Sequence, residues 1–345
     1  MKLPDLTPLP LWYEENKRDL PWRHTKDPYH IWVSEIMLQQ TRVEAVLPYY
    51  RRFLDTLPTV KALAEAPTEL LLKLWEGLGY YSRVRNMQRA AQSIMTDYNG
   101  EFPHTYAEIL SLSGIGDYTA GAIASFAFGL PYPAVDGNVL RVTARLLGFT
   151  ENVLAPASKK LLTAAVTEEL KRHTPSTFNQ ALMELGATVC LPNGTPKCST
   201  CPLADRCLAH AESKTDSIPY RAKQAPRRKE QRTVLILRVG DTVALRKRPE
   251  TGLLSGLFEP FCLEGCLRAD EVAAALARLG LSPLRIAPLG DAKHVFTHIE
   301  WYMTGYEVIL ENGDKLPQDC FLAPRDEIEG QFALPSAYRF YRPFM

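Results

Sequence analysis

Two carboxylates in contrasting surroundings are the residues of this sequence best suited to acid–base chemistry. Glu35 lies in the almost entirely apolar run Ile31–Leu38. An ionised carboxyl is costly there, so we expect its pKa to be raised, as a general acid requires. Asp136 precedes a predicted helix, whose start favours the ionised form and suits an electrostatic stabiliser. The residues alone leave plainer alternatives open: a surface glutamate on a polar stripe, and an ordinary helix cap.

Four of the seven cysteines lie close together and could hold a metal centre. Cys190, Cys198, Cys201 and Cys207 are spaced C-x7-C-x2-C-x5-C. Four thiolates in one short segment suit either an iron–sulfur cluster or structural zinc. Zinc sites usually contain two close cysteine pairs, whereas only one close pair occurs in this segment.

A pair of glycines could bring the backbone close to a phosphate. Gly114 and Gly116 lie between two helical patterns, Tyr106–Leu112 and Thr119–Phe128. The free N–H groups at the start of the second helix can bind an anion such as a DNA phosphate. A simple helix–turn–helix corner is the alternative. A dinucleotide-binding loop is disfavoured because the preceding segment is helical.

The elements that position these residues are mostly helices. Pro28 suits a first helical position, and Thr41–Glu44 has the form of a capping box, so Gln40 should lie at a junction of two helices. Apolar spacing predicts further helices over Thr68–Trp75, Val84–Tyr98, Tyr106–Leu112, Thr119–Phe128, Val139–Leu147, Ala157–Lys171 and Thr177–Thr188.

The pattern changes after about residue 213. A polar, basic segment that includes Arg221, Lys223 and Arg227 reads as a linker, with phosphate contact as the alternative. Beyond it we predict a hairpin over Thr233–Val239 and Thr242–Arg248, a helix over Ala269–Leu279 and strands within Phe296–Leu310. These elements predict a small α+β domain.

Composition limits the class of protein. The chain has 345 residues, of which 46% are hydrophobic, enough for two domains with their own cores. A net charge of +1 argues weakly against nucleic-acid binding, although the local distribution of charge matters more. With no signal-peptide pattern and no long apolar run, we expect a cytoplasmic location, nucleoid-associated if the source is bacterial, and no membrane contact.

Several longer strings resemble the adenine DNA glycosylases of the MutY type, within the endonuclease III superfamily. The resemblance extends through nearly the whole chain and is carried by Trp32–Thr41, Gly77–Arg83, Leu112–Gly121 and Val135–Val139. It implies a helix–hairpin–helix glycosylase fold and a [4Fe–4S] cluster on the four cysteines, with zinc as the alternative. The superfamily spacing is C-x6-C-x2-C-x5-C, so this sequence has one extra residue after Cys190.

The resemblance also implies roles for the catalytic residues. Glu35 would protonate adenine, Asp136 would stabilise the sugar cation or its covalent adduct, and Asn138 would support Asp136. Tyr118 stands where bifunctional relatives carry a lysine that forms a Schiff base with the sugar. We therefore predict base removal without efficient strand cleavage.

Residues that contact DNA follow from the same resemblance. Gln40 and Tyr80 would fill the gap left by the flipped adenine, and Leu38, Arg23, Gly114 and Gly116 would also contact DNA. Recognition of 8-oxoguanine would fall to a loop of the second domain that contains Phe296, Thr297 and His298. Threonine replaces the usual serine in this loop.

The predicted fold is a mostly α glycosylase region with a small α+β Nudix-like domain. The helical region would span residues 1–212, with a six-helix barrel over about 28–129 and a cluster domain from 1–27 and 130–212. A linker would span 213–231 and the Nudix-like recognition domain 232–345. Only Asp270 and Glu271 lie near the start of its helix, so the Nudix metal box R-E-x-x-E-E is missing and nucleotide hydrolysis is not expected.

The predicted function is removal of adenine mispaired with 8-oxoguanine or guanine in double-stranded DNA, by a monomeric enzyme. Two alternatives stay open at this point. One is a bifunctional pyrimidine glycosylase/lyase, which Tyr118 opposes. The other is a non-enzymatic iron–sulfur DNA-binding protein, which the pairing of Glu35 with Asp136 opposes.

Overall fold

The computed structural model of the protein describes residues 1–222, 225–311, 315–317 and 319–345. Lys223 of the predicted linker lies outside the described residues. The chain forms two compact units, one of Met1–Glu65 with Asn86–Lys223 and the other of Ala66–Arg85 with Gln224–Met345. The bounds proposed for the domains stay a prediction. Across the described part of the chain, no helix is both long and apolar enough to cross a bilayer.

Helices dominate the chain as far as Ala211. They are α1 (Pro8–Asn16), α2 (Pro28–Leu38), α3 (Val43–Thr56), α4 (Val60–Glu65), α5 (Thr68–Leu74, in the second unit), α6 (Ser82–Asp97), α7 (Tyr106–Ser111), α8 (Asp117–Phe128), α9 (Gly137–Leu146), α10 (Pro156–Leu170), α11 (Pro175–Thr188) and α12 (Leu208–Ala211). The helices predicted from apolar spacing are confirmed, and their ends differ by no more than two residues from the prediction.

Helix α2 is buried along nearly its whole length and packs against α8. It begins at Pro28, as predicted, and the side chain of Asp27 caps it by accepting the N–H of Tyr29 at 2.8 Å. Because the run from Ile31 to Met37 is buried, Glu35 is buried with it. The alternative of a surface glutamate is therefore wrong.

The junction after α2 differs from the prediction. No side chain caps α3, which starts at Val43 after Arg42, so the predicted capping box at Thr41–Glu44 is wrong. The chain reverses earlier, at Gln40, whose φ of 64° lies in the left-handed region. Thr41 therefore precedes the cap position and cannot reach the first turn of α3. Gln40 is exposed at the tip of this reversal.

The second unit is built around a mixed sheet. In its described residues the sheet has six strands in the order β4-β5-β1-β3-β2-β6: β1 (Arg228–Val239), β2 (Thr242–Lys247), β3 (Phe258–Glu264), β4 (Arg285–Val295), β5 (Ile299–Ile309) and β6 (Cys320–Pro324). Helices α13 (Ala269–Arg278) and α14 (Arg325–Gln331) accompany it. Strands β1 and β5 run parallel, and the other pairs are antiparallel.

Both faces of β1 are covered, which explains its continuous apolar run. Val234 and Ile236 belong to one core cluster, and Leu235 and Leu237 belong to another. A central strand that is buried on both faces shows no alternation of apolar and polar residues.

The hairpin of β1 and β2 is confirmed, with Gly240 at a φ of 57° in its two-residue turn. The strand predicted from Phe296 begins later, at Ile299. Residues 296–298 form the turn between β4 and β5, closed by a bond from the N–H of Phe296 to the carbonyl of Ile299 at 2.8 Å.

Candidate active site

Glu35 and Tyr118 meet in the interior of the first unit. The Tyr118 phenol, at the start of α8, donates a short hydrogen bond to Oε2 of Glu35, which is only 3% exposed. Burial raises the pKa of Glu35 to about 7, and the charge of Asp136 adds to this, while the Tyr118 bond and Arg23 oppose it. Glu35 is therefore a carboxyl that can hold a proton near neutral pH, as its apolar helix predicted.

Asp136 caps helix α9, and it also lines the cavity described below, so its role as an electrostatic stabiliser stays a prediction. Its Oδ1 accepts the N–H of Val139 at 2.8 Å, and its Oδ2 accepts the Asn138 side-chain amide at 2.6 Å. Burial raises the pKa of Asp136, and these bonds and Arg141 oppose the rise. The helix start favours the ionised form, as predicted, but burial outweighs it.

Two glycines allow the backbone to approach closely enough to bring these side chains together. A Cβ on Gly121 of α8 would lie 2.1 Å from the carbonyl oxygen of Pro133, in the segment that leads to Asp136. A Cβ on Gly186 of α11 would lie 2.6 Å from the Cβ of Asn138. Glycine at both positions lets α8 and α11 pack directly against the segment that carries Asp136 and Asn138.

A cavity of about 420 Å³ contains the reactive groups. Glu35, Tyr118, Asp136 and Asn138 all line it. The structure thus brings together the four residues that the sequence analysis named as catalytic. The volume lies within the usual range of small-ligand pockets.

A second buried glutamate also lines this cavity, and the sequence analysis missed it. Glu184 of α11 is 1% exposed and binds Arg18 at 2.8 Å and Arg23 at 2.6 Å. Burial acts to raise its pKa, but the hydrogen bonds from the two arginines lower it to about 2. The signal that marked Glu35, a carboxyl in an apolar helical run, was also present in Ala181–Gly186.

Arg23 lies inside this cavity. Besides Glu184, its guanidinium donates to the Arg18 carbonyl at 2.8 Å, and its side chain is 12% exposed. Its predicted contact with DNA is untested, and its position is beside the reactive groups. Trp22 and Gln180 also line the cavity and were not identified from the sequence.

A larger groove of about 1000 Å³ adjoins the same residues. Asp136, Tyr118 and Leu38 line both the cavity and the groove. Two cations, Lys159 and Lys160 of α10, lie on the groove together with Gln40. A groove that is lined by two lysines suits a polyanionic substrate.

The glycine hairpin before α8 has the geometry that a close ligand needs. Gly114 has a φ of 77°, and a Cβ there would lie 2.5 Å from the Cβ of Asn86. Gly116 is the cap residue of α8, has no side-chain cap bond, and has open space where a Cβ would be. The cap residue therefore has no side chain that could cover the free N–H groups at the start of α8, as the predicted phosphate contact requires.

The four clustered cysteines line one small cavity with Arg145 and His210. Burial raises the pKa of the Cys201 thiol to about 11, and burial also raises those of Cys198 and Cys207. Thiolates there would need a cation, which a metal centre supplies. Within the described residues, no group of three or more His, Cys, Asp or Glu side chains is arranged to hold a metal ion. The four thiols are thus not positioned as a formed metal site, but the chemistry of the donor set, four thiols that line one cavity, suits either an iron–sulfur cluster or zinc.

Arginine contacts join the cysteine segment to the site. Arg141 of α9 donates to the side-chain oxygen of Asn138 at 2.9 Å and to the Cys190 carbonyl at 2.8 Å. Arg145, one turn further along, donates to Sγ of Cys190 at 3.2 Å.

The remaining predicted residues lie in the second unit. Tyr80 follows α5, has a φ of 47°, and is 47% exposed. Its hydroxyl is 2.6 Å from Oγ1 of Thr297, in the turn between β4 and β5. Thr297 and His298 are exposed, while the ring of Phe296 packs edge-on against Trp301 at 4.8 Å.

Comparison with known proteins gives matches to both parts of the chain. Residues 33–172 match the HhH-GPD superfamily of base excision DNA repair proteins, and residues 233–341 match the NUDIX domain. The chain is 36% identical to the adenine DNA glycosylase of Buchnera aphidicola subsp. Baizongia pistaciae over 301 residues, which cover 87% of this chain and 84% of that protein. It is 33% identical to the adenine DNA glycosylase of Homo sapiens, over 87% of this chain and 66% of that protein.

A solved structure shares the helical part. The structure of a thermostable thymine-DNA glycosylase superimposes with a TM-score of 0.53 at 29% identity. The match covers 60% of this chain and 94% of that chain. It is consistent with the helical architecture of the first unit.

Proposed function

The chain belongs to the adenine DNA glycosylase family, whose members hydrolyse N-glycosyl bonds, and on that premise we propose that it removes adenine mispaired with 8-oxoguanine or guanine in double-stranded DNA. One observation carries the proposal. A buried glutamate with a pKa of about 7, held by a tyrosine phenol, shares a cavity with an aspartate at a helix start. This is an acid and an anion in one small-ligand pocket.

Glu35 is the general acid in this proposal. The flipped adenine would enter the cavity, and Glu35 would donate its proton to a ring nitrogen as the C–N bond breaks. Protonation turns the base into a neutral leaving group. The phenol of Tyr118 holds the carboxyl at Oε2 and leaves the other oxygen for the base.

Asp136 stabilises the positive charge that develops on the sugar. It lies where the cavity meets the groove, so it can face a sugar whose backbone stays in the groove. Asn138 fixes its orientation through the 2.6 Å bond to Oδ2. An anion that is already oriented needs no reorganisation as the charge appears. Water then adds to the sugar carbon, either directly or after a covalent adduct with Asp136.

Tyr118 makes the enzyme monofunctional in this proposal. A phenol bonded to Glu35 offers no amine for a Schiff base, so the sugar is left as an abasic site in an intact strand. The bifunctional pyrimidine glycosylase/lyase would need another amine in the cavity. Lys26 on its edge is the candidate.

The DNA contacts and the cofactor complete the proposal. Gln40 and Tyr80 act as wedges, Leu38, Arg23, Gly114 and Gly116 contact the DNA strand or flipped nucleotide, and Phe296, Thr297 and His298 read 8-oxoguanine. Cys190, Cys198, Cys201 and Cys207 would hold a [4Fe–4S] cluster, or zinc in the alternative. Either would cross-link a segment that is otherwise joined to α9 by the contacts of Arg141 and Arg145. We propose a monomer that acts in the cytoplasm, on the nucleoid if the source is bacterial.

Single-turnover release of adenine from a duplex with adenine opposite 8-oxoguanine tests this function. The product strand is analysed with and without an alkali step, because alkali cleaves abasic sites. We expect strand breaks only after alkali.

Two other outcomes would change the assignment. Strand breaks without alkali would point to an amine such as that of Lys26 and to the bifunctional alternative. Binding of the duplex without any adenine release would favour the non-enzymatic DNA-binding alternative.

A further inference from the structure

Tyr80 is an exposed aromatic residue in an uncommon backbone conformation. Its φ of 47° is left-handed, a region that bulky residues seldom occupy, and its side chain is 47% exposed. Such a residue keeps its place only if its surroundings hold it. The bond between its hydroxyl and Thr297 holds one end of the side chain.

The backbone on the other side of Tyr80 is held by its own neighbours. The indole N–H of Trp75, which is fully buried, donates to the Gly79 carbonyl at 3.1 Å. The guanidinium of Arg83 donates to the same carbonyl at 3.1 Å and to that of Leu78, also at 3.1 Å. The position of the backbone just before Tyr80 therefore depends on where Trp75 and the end of α5 lie.

The C-terminal segment binds the end of α5 through charged groups. The guanidinium of Arg342 binds Oε1 of Glu76, next to Trp75, and donates to the Leu334 carbonyl at 2.6 Å. Lys73 binds Oε2 of Glu76 at 2.6 Å and donates to the Phe332 carbonyl at 3.1 Å. We name Lys73, Glu76, Leu334 and Arg342 the Glu76 clamp.

The Glu76 clamp is shielded from solvent enough to hold its residues in a fixed arrangement. The side chains of Glu76 and Arg342 are 13% and 28% exposed, so their attraction is screened less than that of a surface pair. Each of the two cations also bonds a backbone carbonyl of the C-terminal segment, which ties the direction of α5 to that segment. The flanking pair of Lys247 with Glu69 at 3.1 Å is exposed and should matter less.

We infer that the Glu76 clamp is a positioning device for the Tyr80 wedge, so that Leu334 and Arg342 belong to the apparatus that reads the base opposite adenine. The inference rests on the proposed function, because it takes Tyr80 as a DNA wedge. Arg342 acts through Glu76, Trp75 and the Gly79 carbonyl, and it sets where the Tyr80 ring lies relative to Thr297. Arg342 does not line the cavity or the groove that contain Glu35 and Asp136, so we assign it no part in the chemical step.

The test compares Arg342→Ala with Arg342→Lys, which keeps the charge, and with Arg339→Ala, a matched control at an exposed arginine of the same segment. Two quantities are measured on full-length protein. The first is the dissociation constant for duplexes with 8-oxoguanine or guanine opposite a non-cleavable 2′-fluoro-deoxyadenosine. The second is the single-turnover rate of adenine release at saturating enzyme.

We expect Arg342→Ala to weaken binding of the 8-oxoguanine duplex about tenfold and to reduce the preference over guanine by a similar factor. The saturated rate should stay unchanged. Arg342→Lys should recover most of the loss, and Arg339→Ala should behave as wild type. In a Tyr80→Ala background, Arg342→Ala should have no further effect on binding, because both act through one contact.

Two results would overturn the inference. Additive losses from Tyr80→Ala and Arg342→Ala would show that the clamp does not act through the wedge. Unchanged binding together with a lower thermal midpoint would show a purely structural clamp.

If Arg342→Ala does not fold, Glu76→Gln, which keeps the shape and an acceptor oxygen, replaces it in the same comparison. Because binding is measured with a non-cleavable duplex, a wild-type protein that releases no adenine would refute the proposed function and leave the test of the clamp readable.

Discussion

Two buried glutamates that line one cavity behave as different groups. Glu35 is 3% exposed and Glu184 is 1% exposed, yet the pKa of Glu35 is about 7 and that of Glu184 is about 2. Burial acts in the same direction on both. The difference comes from their partners, because Glu35 accepts a neutral phenol whereas Glu184 binds two guanidinium groups.

Glu35 is therefore a carboxyl that can transfer a proton, whereas Glu184 is one that keeps its charge. A carboxyl beside a phenol is poised between its two forms near neutral pH, as an acid catalyst must be. A carboxylate between two arginines stays ionised and holds their side chains in place. Two glutamates of the same cavity therefore suit different roles: Glu35 suits proton transfer, and Glu184 suits holding the structure together.

The largest expected effect comes from Glu35→Gln, which removes the proton donor and preserves the shape. Single-turnover adenine release should fall by a factor of about 10² to 10⁴, the usual contribution of a general acid. Glu15→Gln, at an exposed glutamate, is the matched control and should leave the rate unchanged. A Glu35→Gln protein as fast as wild type would remove Glu35 from the mechanism.

Glu184→Gln tests the second buried glutamate and should lower the stability of the protein. It leaves two partly buried arginines without their counter-charge, so the free energy of unfolding at neutral pH should fall by about 3 kcal/mol. Because the pKa of Glu184 is lowered from 4.5, its stabilising contribution is present above that value and is lost as the pH falls toward about 2. The difference in the free energy of unfolding between the wild type and Glu184→Gln should therefore become smaller in acid.

The measurement is chemical denaturation at neutral and acid pH. Glu168→Gln, which breaks an exposed pair with Lys171, is the control and should change little. A loss of the same size from that control, or no loss from Glu184→Gln, would contradict the structural role.

The smallest effect concerns the pH dependence of adenine release. The rate should fall as the pH rises through about 7, because Glu35 then loses its proton. The Tyr118 bond lowers the pKa of Glu35, so Tyr118→Phe should move this alkaline limb to higher pH by roughly 0.4 to 1 unit, the equivalent of one hydrogen bond.

The control for this shift is Tyr29→Phe. It removes another buried phenol, which bonds the Leu57 carbonyl at 2.7 Å and has no contact with Glu35. An identical pH profile in the wild type and in Tyr118→Phe would mean that the limb reports a group other than Glu35.

Local pattern was enough for much of the architecture. Apolar spacing predicted the helices from Thr68 to Thr188, and a two-residue turn with Gly240 predicted the first hairpin. It failed where the chain reverses without a distinctive residue. The start of α3 was misassigned because the reversal falls on Gln40. Strand β6 was missed because its partner β2 lies far away in the chain, whereas β4 was missed although it pairs with the next strand, because Pro288 and Gly290 interrupt its pattern.

The sequence by itself determined which residues could do chemistry. An acid in an apolar helix, an aspartate before a helix and a clustered set of cysteines are properties of neighbouring residues, and the helical repeat carries them directly into structure. Glu35 and Asp136 follow from such patterns, whereas Tyr118 and Asn138 follow only from the resemblance to the adenine DNA glycosylases. No local pattern showed that the four residues share one cavity.

Only the tertiary structure decided what each group does in its surroundings. Arg18 and Glu184 are 166 residues apart, and Glu76 and Arg342 are 266 residues apart. Pairing over such distances depends on the packing of whole elements, and no local repeat encodes it. Electrostatics weakens with distance and strengthens with burial, so the same glutamate becomes an acid, a counter-ion or a clamp according to which side chains the fold brings beside it.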